Sequence, residues 1–107
     1  MLTRRKGEAM MHAALVLFTL GPGTREVVDK AGEQFGGMLQ AMKGFKGMTM
    51  LADYEAGDYG GLTLWETKED AEAALAATQP VMKESLGALL KGPPMAKSYL
   101  VWEPPKG

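Results

Sequence analysis

Three side chains in this sequence have the chemistry to act on a small molecule. The ring of Trp65 could stack on an aromatic ligand, and its indole N–H could orient a carbonyl oxygen. Tyr99 could donate a phenolic hydrogen bond. His12 is the only histidine, and histidine exchanges protons near neutral pH, so it is a candidate general base or haem ligand. Two of them also have a structural interpretation, Trp65 as a core residue and His12 as a surface residue where a strand begins.

Flexible apolar side chains are the other candidates for a binding role. Methionine adapts to irregular shapes, so a group of methionines could line an apolar pocket or could simply fill a core. The group comprises Met38, Met42, Met48, Met50 and Met82.

The composition excludes several classes of function. The chain has 107 residues and no cysteine, which excludes thiol catalysis, disulfides and thiolate metal sites. One histidine is too few for a zinc site built on imidazoles. Lys and Arg total 12 against 13 Asp and Glu, so neither nucleic acid nor a membrane surface is an expected partner. The acidic residues within 66–72 suit a helix N-terminus, where negative charge is favourable.

Four segments have the alternation of β-strands. Residues 12–20 are apolar on both alternating faces, which predicts a strand that is covered on both sides. Residues 43–66 predict a hairpin, with tyrosines at both ends of its turn in rim or interface positions. Residues 96–103 predict a last strand.

Two segments have helical spacing. Apolar residues at steps of three and four predict a helix over residues 25–42, capped by Thr24, with internal glycines that lie close to another backbone. Thr67 predicts the cap of a second helix that extends to Leu90. Pro80 predicts a kink or a restart within that helix.

The order β-α-β-β-α-β predicts a ferredoxin-like α+β domain, with two helices on one face of a four-stranded antiparallel sheet. The strands are apolar on the other face too, and leaving those side chains exposed would cost about 1.5–3 kcal/mol each. We therefore predict a homodimer joined through its sheet faces. One domain spans residues 12–103, between a flexible leader, residues 1–11, and a polar tail, residues 104–107. The apolar run is too short for a signal peptide, so a cytoplasmic location is expected.

Three stretches of the chain resemble the antibiotic-biosynthesis-monooxygenase superfamily of dimeric α+β barrels. They are LGPGTREVVDKAGEQF after the first strand, GFKGMTML at the second, and LTLWETKEDAEAAL at the third strand and second helix. The resemblance covers about residues 13–103. It implies a sheet-to-sheet dimer and a pocket between each sheet and its helices. The pocket residues that we expect on this basis are Val16, Phe18, Met38, Met50 and Trp65.

The resemblance also implies which cofactors to expect. Some members of the superfamily oxidise aromatic polyketides without metal or flavin, others degrade haem, and many have no known activity. Haem-degrading members use an Asn on the first strand and a Trp and a His on the second helix. This chain has no Asn, Val16 lies about where that Asn would be, and its second helix has neither Trp nor His. We therefore expect no cofactor, and haem binding through His12 is the least favoured alternative.

Two functions remain open at this point. The first is a dimeric barrel that binds or oxidises a small hydrophobic or aromatic molecule without metal or flavin, with Trp65 and Tyr99 orienting the substrate. The second is a non-enzymatic ligand-binding or stress-associated dimer on the same scaffold. The scarcity of polar groups on the strands slightly favours the second.

Overall fold

Six helices and strands follow one another in the part of the chain that the structure, a computed structural model, describes: residues 11–102. The predicted polar tail, and the predicted leader apart from Met11, lie outside the described residues. In chain order the elements are β1 (His12–Thr19), α1 (Arg25–Gln40), β2 (Phe45–Asp53), β3 (Asp58–Trp65), α2 (Lys68–Leu86) and β4 (Met95–Leu100). The predicted βαββαβ order is confirmed.

The four strands form one antiparallel sheet in the order β2-β3-β1-β4. Because successive side chains of a strand point to opposite faces, Ala14, Val16 and Phe18 of β1 face the helices. The pairing register continues this face across the sheet, since Val16 lies opposite Gly61 of β3 and Ala96 of β4. Both helices pack on this face, as the ferredoxin-like fold requires.

Helix α1 begins where predicted, with Thr24 at the N-cap position. The Thr24 side chain makes no capping hydrogen bond. Its hydroxyl donates to the Gly21 carbonyl oxygen at 2.7 Å and lies 2.9 Å from the Tyr59 hydroxyl, which donates to it in turn. The predicted position of the cap is confirmed, but its side chain does not cap the helix because a tertiary partner on β3 uses the same oxygen.

Helix α2 has the predicted cap, since the Thr67 hydroxyl accepts the Asp70 amide at 3.0 Å. The helix then continues through Pro80 without a restart and ends at Leu86, so the predicted end at Leu90 is wrong. Pro80 and Ala76, four residues earlier, are exposed. The carbonyl that loses its amide partner to the proline therefore lies on the solvent side, where water can replace the missing donor.

The turn between β2 and β3 packs tightly against the end of β1. Gly57 has φ +74°, and a Cβ on it would overlap the Gly21 backbone. Its carbonyl oxygen accepts the Leu20 amide at 2.8 Å. Glycine is required here both for the left-handed backbone and for the close approach.

The face of the sheet away from the helices carries large apolar side chains that the rest of residues 11–102 leaves exposed. The side chains on it include Leu17 at 40% exposure, Leu51 at 46%, Met95 at 37% and Tyr99 at 42%. We call these four residues the open-face patch. No helix within the described residues has the length and apolar character needed to cross a membrane.

Candidate functional site

A small apolar cavity of about 40 Å³ lies between the sheet and the two helices. Residues of the sheet and of both helices line it. They are Ala14, Val16, Phe18, Val28, Ala31, Gly32, Phe35, Leu39, Met48, Met50, Gly61, Thr63, Leu75, Thr78 and Met82. The cavity lies where the family resemblance implied a pocket.

Two hydroxyls are the only polar side-chain groups in this lining, and both already have partners. Thr63 Oγ1 accepts the Trp65 indole N–H at 2.7 Å and donates to the Ala14 carbonyl oxygen at 3.4 Å. Thr78 Oγ1 donates to the Ala74 carbonyl oxygen at 2.8 Å, within its own helix. The lining therefore presents no free donor side chain to a bound molecule.

Three of the five predicted pocket residues line the cavity, and two do not. Val16, Phe18 and Met50 are in its wall. Met38 is partly buried against the core, outside the lining. Trp65 is also outside the lining, because it lies at the end of β3 with 0% exposure and packs edge-on against Phe45 at 5.6 Å.

The other two chemical candidates lie away from the cavity. Tyr99 pairs with Ala13 across β1 and β4, so it lies on the face opposite the helices, where the Lys97 ammonium is 5.3 Å from its ring. His12 lies opposite Trp65 at the end of the sheet. Its Nδ1 is buried and has no hydrogen-bond partner among the described residues. Trp65, Tyr99 and His12 therefore do not converge on one reaction centre.

An open groove of about 390 Å³ adjoins the cavity between α1 and the β2–β3 hairpin. At its rim, the Tyr54 hydroxyl donates to Asp29 Oδ1 at 2.8 Å, and the Arg25 guanidinium lies 4.3 Å from the Tyr54 ring centre. The hydrogen bond to Asp29 raises the pKa of the Tyr54 hydroxyl, because the carboxylate favours the protonated phenol. These contacts join the hairpin to the helix at the groove.

Tyr59 is not the rim residue that its place beside the turn predicted. It is 4% exposed, and its ring packs 5.8 Å from Phe18 and 5.9 Å from Tyr54. The prediction is wrong because α1 and the hairpin close over this side chain. Tyr54, at the other end of the turn, does lie at the rim.

Two glycines that sequence reasoning did not assign to the site help to shape it. Gly32 of α1 and Gly61 of β3 both line the cavity, and both face Met50. The helix glycines were predicted to approach another backbone, but Gly32 and Gly36 make room for the side chains of Met50 and Met48 instead. The sequence does contain a signal for this packing. Two glycines are four residues apart on the helix, and two methionines are two residues apart on the strand.

The residues that the structure describes contain no cluster of three or more His, Asp or Glu side chains that could hold a metal ion. The lone buried His12 nitrogen at the sheet end lies outside the cavity lining.

No protein-family model matches the chain, and no curated protein matches it either. Several solved structures do. One is a protein provisionally named an antibiotic biosynthesis monooxygenase from Nitrosomonas europaea, with a TM-score of 0.74, 14% identity, and coverage of 91% of this chain and 95% of that one.

Two further similar structures come from Streptomyces. A mutant of SnoaB, a cofactor-independent oxygenase from Streptomyces nogalater, has a TM-score of 0.70 and 17% identity, covering 90% of this chain and 97% of that one. The ActVA-Orf6 monooxygenase of Streptomyces coelicolor, in complex with the ligand Nanaomycin D, has a TM-score of 0.67 and 20% identity, covering 92% and 93%. At these identities the likeness establishes the fold. The chain thus has the ferredoxin-like α+β fold of the antibiotic biosynthesis monooxygenases, and the predicted resemblance is confirmed at that level.

Proposed function

We propose that this protein is a homodimeric binding protein for a small apolar or aromatic molecule, which it holds between the sheet and the helices without metal or flavin. The observation that supports this is the chemistry of the cavity wall, in which both hydroxyls already have partners. Such a wall favours an apolar ligand, because burying a polar group without a partner is costly.

The cavity must enlarge before a ligand can enter. Its volume of about 40 Å³ is enough for a few water molecules, whereas a dry cavity of about 150 Å³ is known to bind benzene. Three methionines, Met48, Met50 and Met82, lie in the wall. Their unbranched side chains can change conformation at low cost, so they are the part of the wall most able to yield.

The binding proposal is tested by NMR of protein labelled at its methionine methyl groups. Titration with naphthalene should produce ring-current shifts at the wall methionines, Met48, Met50 and Met82. Met42 and Met95 lie outside the wall and serve as internal controls. Saturable shifts confined to the wall methionines would support the proposal. Shifts confined to Met95 on the open-face patch, or none at all, would contradict it.

Oxygenation of an aromatic substrate is the second candidate, favoured by the similarity to two proteins described as oxygenases. The geometry favours it less, because the Trp65 N–H already has a partner and Tyr99 lies on the opposite face. We expect no oxygen uptake above the buffer rate when anthrone is added, measured with an oxygen electrode. Uptake that converts anthrone and O₂ to anthraquinone and water, and that falls in Trp65→Phe, would reverse this ranking.

The homodimer in this proposal forms through the open-face patch. Its support is the set of large apolar side chains that a single chain leaves uncovered. A second copy, related by two-fold symmetry, would place its own open-face patch against that of the first chain. The cytoplasmic location stays a prediction.

A further inference from the structure

Met50 lines both the small apolar cavity and the adjoining groove. Three residues line both spaces, namely Val28, Gly32 and Met50. Any path from the groove into the cavity therefore passes these residues.

Of these three residues, Met50 has the side chain that can change conformation most easily. Gly32 has no side chain, and Val28 is β-branched and held in a helix, where its side chain has one strongly preferred conformation. Met50 has three rotatable side-chain bonds. It belongs to β2, which is an edge strand of the sheet, and it is 45% exposed. It can therefore rotate toward solvent without displacing a neighbouring strand.

Gly32 and Gly61 lie beside the end of the Met50 side chain and pack only loosely against it. A Cβ added at Gly32 would lie 3.6 Å from Met50 Cε, and one added at Gly61 would lie 3.5 Å from Met50 Sδ. Both distances are ordinary van der Waals contacts that glycine leaves unmade. The methionine tip thus has fewer contacts in its closed position than alanines at these sites would provide.

We propose that Met50 controls which ligands pass from this groove into the cavity, an inference that rests on the proposed binding function. When its side chain rotates outward, the cavity and the groove of about 390 Å³ become one space that can hold a flat, uncharged aromatic molecule. The apolar part of the ligand lies against the cavity wall, and any polar substituent stays at the rim near Tyr54. Ligand size and entry rate depend on the Met50 side chain.

Two substitutions move the entry rate in opposite directions. Met50→Ala removes the side chain that separates the cavity from the groove, so the two spaces are joined in a larger fraction of molecules. We therefore expect the association rate of 1-aminoanthracene to rise about tenfold or more. The rate is measured by stopped-flow fluorescence. Gly32→Ala adds a contact to the closed position, so the rate should fall. Met42→Ala is the control, since it truncates a partly buried methionine outside both spaces. Circular dichroism checks that every variant folds.

The outcomes separate this inference from the function on which it rests. Saturable binding to the wild type, with Met50→Ala faster than Met42→Ala and Gly32→Ala slower than the wild type, would support control by Met50. Saturable binding with equal rates in Met50→Ala and Met42→Ala would overturn the inference and leave the binding function intact. No saturable binding to any variant would overturn both.

Discussion

Trp65 is the side chain that the sequence marks most clearly for chemistry, and its hydrogen bond determines what it can do. The indole N–H is buried and donates to the Thr63 hydroxyl at 2.7 Å, two residues away on the same face of β3. A buried donor without an acceptor is costly, so this pair stabilises the end of the strand. Orienting a substrate carbonyl would require that bond to break.

The Trp65–Thr63 bond can be tested by removing its acceptor. Thr63→Val preserves the shape of the side chain but leaves the indole N–H without a partner. We expect the free energy of unfolding, measured by urea denaturation, to fall by about 1–3 kcal/mol. The loss should shrink in a Trp65→Phe background, where there is no N–H to satisfy.

Thr78→Val is the matched control for that experiment. It is the same substitution at another buried threonine of the cavity wall. Its hydroxyl donates only to a carbonyl within its own helix, so its removal leaves no buried donor without an acceptor. Equal losses in Thr63→Val and Thr78→Val would show that the Trp65 bond contributes nothing specific.

At the scale of elements, the β2–β3 hairpin is tied to α1 through Tyr54 and Asp29. The bond raises the pKa of Tyr54, so the phenol stays protonated in the folded protein at a pH where it has begun to ionise in the unfolded chain. The stabilisation is therefore complete below the unfolded pKa of Tyr54. It is lost as the pH rises through the folded pKa.

Asp29→Asn should lower the pKa of Tyr54, because the negative charge that opposes ionisation is gone. The measurement is an ultraviolet titration of tyrosinate, with the Tyr54→Phe titration subtracted to isolate this residue. Glu33→Gln removes a carboxylate from the same helix that makes no hydrogen bond to Tyr54, and it should leave the titration nearly unchanged. An unaltered Tyr54 titration in Asp29→Asn would mean that the bond does not form in solution.

At the scale of the whole molecule, the open-face patch gives the proposed dimer its physical basis. We expect light scattering at micromolar concentration to give about twice the 11.5 kDa chain mass. Leu17→Lys places a charge in the patch and should produce a folded monomer, since burying an unpaired charge is costly. Ala76→Lys, on an exposed position of α2, is the control and should stay dimeric. A wild-type monomer would remove the dimer from the proposal.

Much of the fold could be predicted because its signals are local. The alternation in residues 12–20 and the steps of three and four in residues 25–42 depend only on near neighbours, and they identified the strand and the helix. The Thr67 cap is also local and was found. Thr24 lies at the predicted N-cap position, but its side chain makes no capping bond because its hydroxyl bonds instead to Tyr59, 35 residues away.

The sequence by itself determined the order of the elements, and it showed that the strands are apolar on both faces. Only the tertiary structure decided which apolar residues enclose the cavity, because that depends on register and on how a helix lies over a sheet. Val16, Phe18 and Met50 came together in this way, while Met38 and Trp65 stayed outside the wall. It also placed Tyr99 beside Ala13 and away from the helices, which no spacing along the chain could reveal.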